Sequence, residues 1–179
     1  MFDKQYRLKG RHAHRADQLT AVFDELGKAK LFDRVVDVYA NAPLVGFLYG
    51  RKAELDNTKD PVTGAVYDKS VMPEQLAGSS LELEFNFRLI ILLDEHYEPD
   101  VNKRIDKAFK YLGQDQADRD LFESYVRGGI DVLYEKLITD DGQRDPDSYM
   151  ERLYEFIEDF EDKFNNGING EDIMKLCMK

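Results

Sequence analysis

Residues 34–51 constrain the fold more than any other run, because they begin as an amphipathic helix and then become apolar on every side. Arg34, Asp37 and Asn41 share one helical face, opposite apolar residues at helical spacing. Residues 42–49 carry no charge. We therefore expect this second half to be surrounded by other helices and to organise the core.

The remaining chain repeats the helical pattern and has no strong strand signal, so the sequence predicts an all-α fold of six or seven helices. Its 179 residues suit one compact domain, 1–179. Two strongly apolar helices, at about 31–51 and 80–97, should form the centre, and Pro43 should kink or break the first. The other predicted segments are helices near 14–29, 100–112, 115–137, 145–164 and 170–178, a basic N-terminal arm at 1–13 and a long irregular loop at 52–79.

The phase of these helices predicts which side chains are buried. Truncating such a residue, for example Phe87→Ala, should cost ~3–5 kcal/mol. The predicted core residues are Val38, Ala42, Val45, Phe87, Ile91, Tyr125 and Leu133.

A glycine pair, Gly128 and Gly129, interrupts an otherwise regular helical pattern. Each interior glycine costs ~1 kcal/mol relative to alanine, so the pair needs compensation. We expect a neighbouring helix to approach closely here, with Gly46 of the central helix as the contact. A hinge, or the approach of a ligand or partner backbone, is the alternative. Arg51 and Arg127 adjoin these glycines and would form an anion site if they converged.

Charge is unevenly distributed along the chain. The formal net charge of −11 disfavours non-specific nucleic-acid binding. Residues 1–15 nevertheless hold five Lys and Arg residues, and an acidic helix near 145–162 offers the opposite charge. Surface ion pairs are individually worth only ~0–1 kcal/mol, so internal pairing alone is a weak explanation for the basic cluster. The predicted partner-binding residues are Arg7, Lys9, Arg11, Arg15, Arg51 and Arg127.

The favoured partner of this arm is an acidic protein surface, and direct DNA contact is the alternative. Reversing Arg11 and Arg15 to glutamate is therefore predicted to weaken partner binding and leave thermal stability nearly unchanged.

Signals for catalysis are weak. Carboxylates on the two apolar helices could hold a metal or transfer protons, but internal ion pairs such as Asp37 with Arg88 are the favoured interpretation. His12 and His14 complete no established zinc spacing. The sequence therefore predicts no catalytic residue, cofactor or metal site, and an enzyme with a carboxylate metal site between the apolar helices remains an alternative.

The single cysteine, Cys177, excludes an intrachain disulfide and fits a reducing compartment. The first residues do not resemble a signal peptide. The longest uncharged apolar stretch, 42–50, is far shorter than the ~20 residues of a membrane span. We expect a cytoplasmic protein that does not enter the membrane.

Three segments carry a resemblance to a known group of proteins. They are Phe-Asp-Arg-Val-Val-Asp-Val-Tyr at 32–39, Gly-Phe-Leu-Tyr-Gly-Arg-Lys at 46–52, and Tyr-Val-Arg-Gly-Gly-Ile-Asp-Val-Leu at 125–133. With these segments the chain resembles small proteins that accompany bacterial DNA phosphorothioation systems, the Dnd-associated group. The resemblance implies an accessory protein of a DNA-modification or anti-phage system and implies no catalytic residue. The sequence thus favours a non-enzymatic adaptor that docks onto larger proteins.

Overall fold

A computed structural model describes residues 2, 4–24, 26, 28–138 and 146–164. Seven helices and four short strands occur in these residues. The helices are α1 (Gly10–Leu19), α2 (Val35–Leu48), α3 (Pro73–Gly78), α4 (Ser80–Leu93), α5 (Val101–Phe109), α6 (Gln116–Leu137) and α7 (Pro146–Phe164). The strands are β1 (Tyr6–Lys9), β2 (Val22–Asp24), β3 (Ala29–Lys30) and β4 (Asp68–Val71).

The prediction of an all-α fold is wrong, because the helices are accompanied by two small antiparallel sheets. Strand β1 pairs with β4 in a register that places Tyr6 opposite Val71, and β2 pairs with β3. Residues 6–13 of the predicted arm are therefore divided between strand β1 and the first turn of α1. The predicted loop at 52–79 is also not irregular throughout, since it contains β4 and α3.

The helix predicted at 14–29 is wrong at both ends. Helix α1 begins at Gly10 and ends at Leu19, and the following residues form the β2–β3 pair. Gly10 has a φ of +55°, which glycine adopts without strain, and a β-carbon there would overlap Asp56. The apolar residues at helical spacing were misleading, because Leu26 is 99% exposed.

Helix α6 lies at the centre of the fold and packs against α1, α2, α4 and α7. The two predicted apolar helices are present as α2 and α4, although both are shorter than expected. Helix α2 continues through Pro43 without a break. All seven residues predicted to form the core are buried, which confirms the phase of these helices.

The predicted contact at the glycine pair is confirmed. A β-carbon on Gly129 would overlap the carbonyl oxygen of Ala42 and lie 2.9 Å from the backbone nitrogen of Gly46. A β-carbon on Gly128 would overlap the carbonyl oxygen of Arg51. The backbones of α2 and α6 are therefore in contact around Gly46 and Gly129, and Gly128 packs against the backbone just after α2.

Aspartate side chains cap two of the helices. The Asp100 carboxylate accepts hydrogen bonds from the backbone nitrogens of Asn102 and Lys103, at 2.9 and 3.4 Å, and begins α5. Asp115 accepts one from Ala117 at 3.0 Å and begins α6. The helix predicted at 170–178 lies outside the described residues.

Candidate protein-docking surface

Helix α5 presents an apolar stripe to solvent. Val101, Ile105 and Phe109 recur every four residues and therefore lie along one side of the helix. They are 53%, 44% and 66% exposed. The buried positions of α5 are instead Arg104 and Ala108. Helix α5 thus turns its large apolar residues away from the core.

Helix α4 carries a second exposed stripe on the side opposite its buried residues. Leu81 and Phe85, one helical turn apart, share this side and are 85% and 60% exposed, and Leu93 in the last turn of α4 is 53% exposed. Leu83, Phe87, Ile90 and Ile91 face the core. Helices α4 and α5 pack against each other. Isolated apolar residues on a protein surface are common, but two regular stripes on neighbouring helices are characteristic of an interaction site. We call these six side chains the docking stripes.

Buried polar contacts fix the connection between α4 and α5. The Tyr97 backbone nitrogen donates a hydrogen bond to Asp94 at 3.0 Å, and the Tyr97 hydroxyl donates one to Asp118 of α6 at 2.5 Å. Burial and the bond to Asp118 raise the pKa of Tyr97 to about 12. Lys107 of α5 also donates to Asp118, at 2.5 Å. The α4–α5 hairpin is therefore held to α6 through its connecting turn and through α5.

Two further buried groups complete this attachment. The Asp94 carboxylate accepts hydrogen bonds from the Tyr125 hydroxyl at 2.7 Å and from Lys52 at 3.1 Å. Burial works to raise the pKa of Asp94, but these two donors lower it below its ordinary value. Arg104 is only 6% exposed, and its guanidinium donates hydrogen bonds to the carbonyl oxygens of Glu98 and Pro99. Asp94 thus ties the end of α4 to α6, and Arg104 ties α5 to the connecting turn.

Sequence reasoning missed the docking stripes. The four-residue spacing of Val101, Ile105 and Phe109 was available as a signal, but it also fits a buried helix face. The actual inward face of α5 contains a charged residue, Arg104, whose burial depends on carbonyl oxygens of the preceding turn. Such backbone partners leave no sequence pattern, so the outward orientation could not be inferred.

The structure places the predicted basic residues Arg11 and Arg15 against Asp131 of α6. Arg11 and Arg15 donate to the two carboxylate oxygens at 3.1 and 2.6 Å, and His12 Nε2 lies 3.4 Å from the nearer oxygen. Asp131 and His12 are each 1% exposed. Burial works to raise the pKa of Asp131, but His12 and Arg15 lower it to about 2. These two arginines thus have an internal role.

The other predicted partner-binding residues do not converge on one site. Arg7 of β1 lies 3.4 Å from Asp68 of β4, and Lys9 is exposed on the same strand. Arg51 donates to Glu135 at 3.2 Å. Arg127 is buried, donates to the Ala53 carbonyl at 2.8 Å and lies 3.6 Å from Glu123. Their binding to an external partner stays a prediction.

The carboxylates predicted as internal ion pairs pair with arginines three or four residues away in sequence. Arg34 pairs with Asp37 at 2.7 Å and Arg88 pairs with Glu84 at 3.4 Å, so the suggested pair of Asp37 with Arg88 is not formed. Among the residues that the structure describes, no group of three or more His, Cys, Asp or Glu side chains has a metal-binding arrangement.

Comparisons with protein-family profiles, curated proteins and solved structures gave no match to this chain. In the described ranges, no helix has the length and apolar character that crossing a bilayer requires.

Proposed function

We propose that this protein is a non-catalytic adaptor or accessory subunit that docks onto a larger protein through the docking stripes of α4 and α5. The supporting observation is the set of six large apolar side chains that the hairpin holds in solvent. Burying one such side chain contributes roughly 1.5–3 kcal/mol. Several together can exceed the cost of association, especially on a surface that is already ordered.

The partner surface that fits best is the apolar face of an amphipathic helix. The four-residue repeat on α5 and the Leu81/Phe85 pair on α4 form apolar ridges against which the side chains of a third helix can pack. Exposed charges flank the stripes, with Glu82 on α4 and Lys103 on α5. A partner helix with a basic edge toward α4 and an acidic edge toward α5 would match this arrangement.

The larger protein, in this proposal, belongs to a bacterial DNA-modification or anti-phage defence system. The resemblance of residues 32–39, 46–52 and 125–133 to Dnd-associated proteins supports this assignment. The single cysteine supports a cytoplasmic location.

The test is a double substitution, Ile105→Asp with Phe109→Asp, in the tagged full-length protein. Both side chains are exposed, so the free energy of unfolding should change by no more than ~0.5 kcal/mol per site. Two desolvated carboxylates would oppose docking strongly. We expect the purified variant to keep its thermal unfolding temperature and to lose the protein that accompanies the wild type from native cells, measured by quantitative mass spectrometry.

A matched control introduces the same two charges outside the stripes. Asn102→Asp with Gln114→Glu alters two exposed positions and should retain the partner. Retention of the same partner by the Ile105/Phe109 variant, at wild-type amounts, would show that docking uses another surface.

A further inference from the structure

A cavity of about 710 Å³ lies between the N-terminal segment and α6, and none of the docking stripes lines it. Volumes of this size accommodate ordinary small-molecule ligands. Its walls come from residues 2 and 4–6, from α2, α3 and α4, from the turn before α6 and from α6 itself. The cavity is thus a site separate from the proposed docking surface.

The inner wall of this cavity is aromatic. Tyr39, Phe87 and Phe122 are at most 3% exposed and form its floor. The Tyr6 ring lies 4.7 Å from that of Tyr39, and the Phe2 ring lies 5.8 Å from that of Phe122. Ring faces at the edge of such a cluster stack well on a flat aromatic ligand.

One face of α6 adds a row of polar groups. Gln116, Arg119 and Glu123 line the cavity and follow each other at intervals of one helical turn. Arg119 donates to the Gln116 side chain through Nε and Nη2, and to the carbonyl of Gly113 through Nη1. These bonds use three of the five donors of a guanidinium, so two others are available to an anion. Lys4 lies on the opposite wall.

Glu123 supplies an acceptor beside the aromatic floor. Its side chain is 35% exposed and lies 3.6 Å from Arg127. Burial raises the pKa of Glu123, and the positive charge of Arg127 works in the opposite direction. A carboxylate at the edge of a stacking platform can accept two hydrogen bonds from neighbouring N–H groups of a ligand.

We propose that this cavity binds a guanine nucleotide. The base stacks on the half-buried rings of Phe2 and Tyr6 at the edge of the aromatic floor, and its N1–H and N2–H groups donate to the Glu123 carboxylate. Arg119 and Lys4 bind the phosphate. Adenine has no N1–H and offers one amino group at this edge, so it satisfies the carboxylate less well. The lining has two cations and one carboxylate, which favours an anion despite the net charge of −11 on the whole chain.

Isothermal titration calorimetry with four ligands tests the contributions of the base and the phosphate to binding. Guanosine monophosphate should bind saturably, and adenosine monophosphate, guanosine and ribose 5-phosphate should each bind about tenfold or more weakly, because each lacks one recognised group. A short single-stranded oligonucleotide with a 5′-terminal guanosine phosphate distinguishes a free nucleotide from a nucleic-acid end. Tighter binding of the oligonucleotide would overturn the assignment to a free nucleotide.

Two substitutions localise binding. Glu123→Gln should weaken the binding of guanosine monophosphate and leave the binding of adenosine monophosphate nearly unchanged. Arg119→Gln should lower the affinity for guanosine monophosphate to that for guanosine. Arg88→Gln, which removes a cation outside the cavity, is the matched control. Should Arg119→Gln fail to fold, Lys4→Gln tests the same phosphate contact. The proposal would be refuted if guanosine monophosphate showed no saturable binding below about 1 mM, which is weaker than ordinary specific ligands bind. It would also be refuted if neither cavity substitution changed the affinity.

Discussion

At the scale of single residues, the contact of α2 with α6 depends on a missing side chain at position 129. At an exposed helical site, alanine normally stabilises the helix by ~1 kcal/mol relative to glycine. At Gly129 the added β-carbon would overlap the Ala42 carbonyl. We therefore expect Gly129→Ala to reduce the free energy of unfolding by ~1–3 kcal/mol, as overpacking of a core does, measured by chemical denaturation.

Gly78 provides the control for this prediction. It ends α3, and a β-carbon there would meet no atom within 4 Å. Gly78→Ala should be neutral or slightly stabilising. A Gly129→Ala variant as stable as Gly78→Ala would mean that the two backbones are not in contact.

Asp131 is the second residue with a large expected effect. Its buried carboxylate holds Arg11 and Arg15, and Asp131→Asn keeps the shape while removing the charge. Breaking a buried ion pair from one side is costly, so we expect a loss of ~3 kcal/mol in the free energy of unfolding. The control is Glu135, whose side chain is 45% exposed and pairs with Arg51. Glu135→Gln should lower the free energy of unfolding by less than ~1 kcal/mol. Equal effects of the two substitutions would contradict the role of Asp131.

The contribution of Asp131 should also depend on pH. Its pKa is about 2 in the folded protein, below the ordinary 3.8. Between these values the unfolded chain binds more protons than the folded one, so acid favours unfolding. The stability difference between wild type and Asp131→Asn should therefore be full above about pH 4 and shrink as pH falls toward 2. A difference that stays constant down to pH 2 would exclude this carboxylate as its source.

Residue-level predictions from the sequence succeeded where apolar periodicity was long and consistent. Val38, Phe87 and Leu133 belong to helices with a continuous buried side, so their burial could be inferred. Asp131 could not be identified in this way, because its partners lie in α1, more than a hundred residues away in sequence. Periodicity describes one element at a time and carries no information about such distant pairs.

At the scale of elements, the Asp131 cluster attaches α1 to α6. Arg11 and Arg15 are 46% and 23% exposed at their side chains, yet both point to the same buried carboxylate. The structure therefore changes the expected outcome of reversing both to glutamate. We now expect a clear loss of thermal stability, because two negative groups would face Asp131, and circular dichroism during heating would measure it.

The neighbouring strand offers a matched double reversal. Arg7 and Lys9 lie on β1, and Arg7 makes only a 3.4 Å contact with Asp68 at an exposed site. Arg7→Glu with Lys9→Glu should therefore leave stability nearly unchanged. If the Arg11/Arg15 variant were equally stable, α1 would not depend on this cluster. Assaying partner binding by both variants would test the predicted external role of the arm.

The strands show why element prediction from this sequence was incomplete. Residues 5–9 alternate polar and apolar side chains over too few positions to be a strong strand signal, and the partner strand β4 lies within the stretch predicted as a loop. Two-stranded pairs of this length have few buried positions, so their pattern is short. The docking stripes were missed for a related reason, since a helix pattern does not reveal which side faces solvent.

At the scale of the whole molecule, burial is concentrated in α6 and sparse in α7. Most residues of α6 are buried or half-buried, whereas Tyr149 is the buried residue of α7. Helix α7 is held by surface contacts such as Asp159 with Lys136 at 3.0 Å. We expect native-state hydrogen exchange to be slowest in α6 and faster by orders of magnitude in α7, since exposed helices open locally. Equal protection in both helices would indicate that α7 unfolds only with the entire domain.

The backbone contact between α2 and α6 also has an evolutionary consequence. Most interfaces within a protein can exchange one side chain for another of similar volume, but Gly46 and Gly129 have no smaller substitute. Descendants of this sequence would therefore retain both glycines while the residues around them diverge. The exposed positions of α4 and α5 would instead change together with whichever surface they meet. An alignment of relatives would then separate the two kinds of constraint, with fixed columns marking the architecture and covarying columns marking the association.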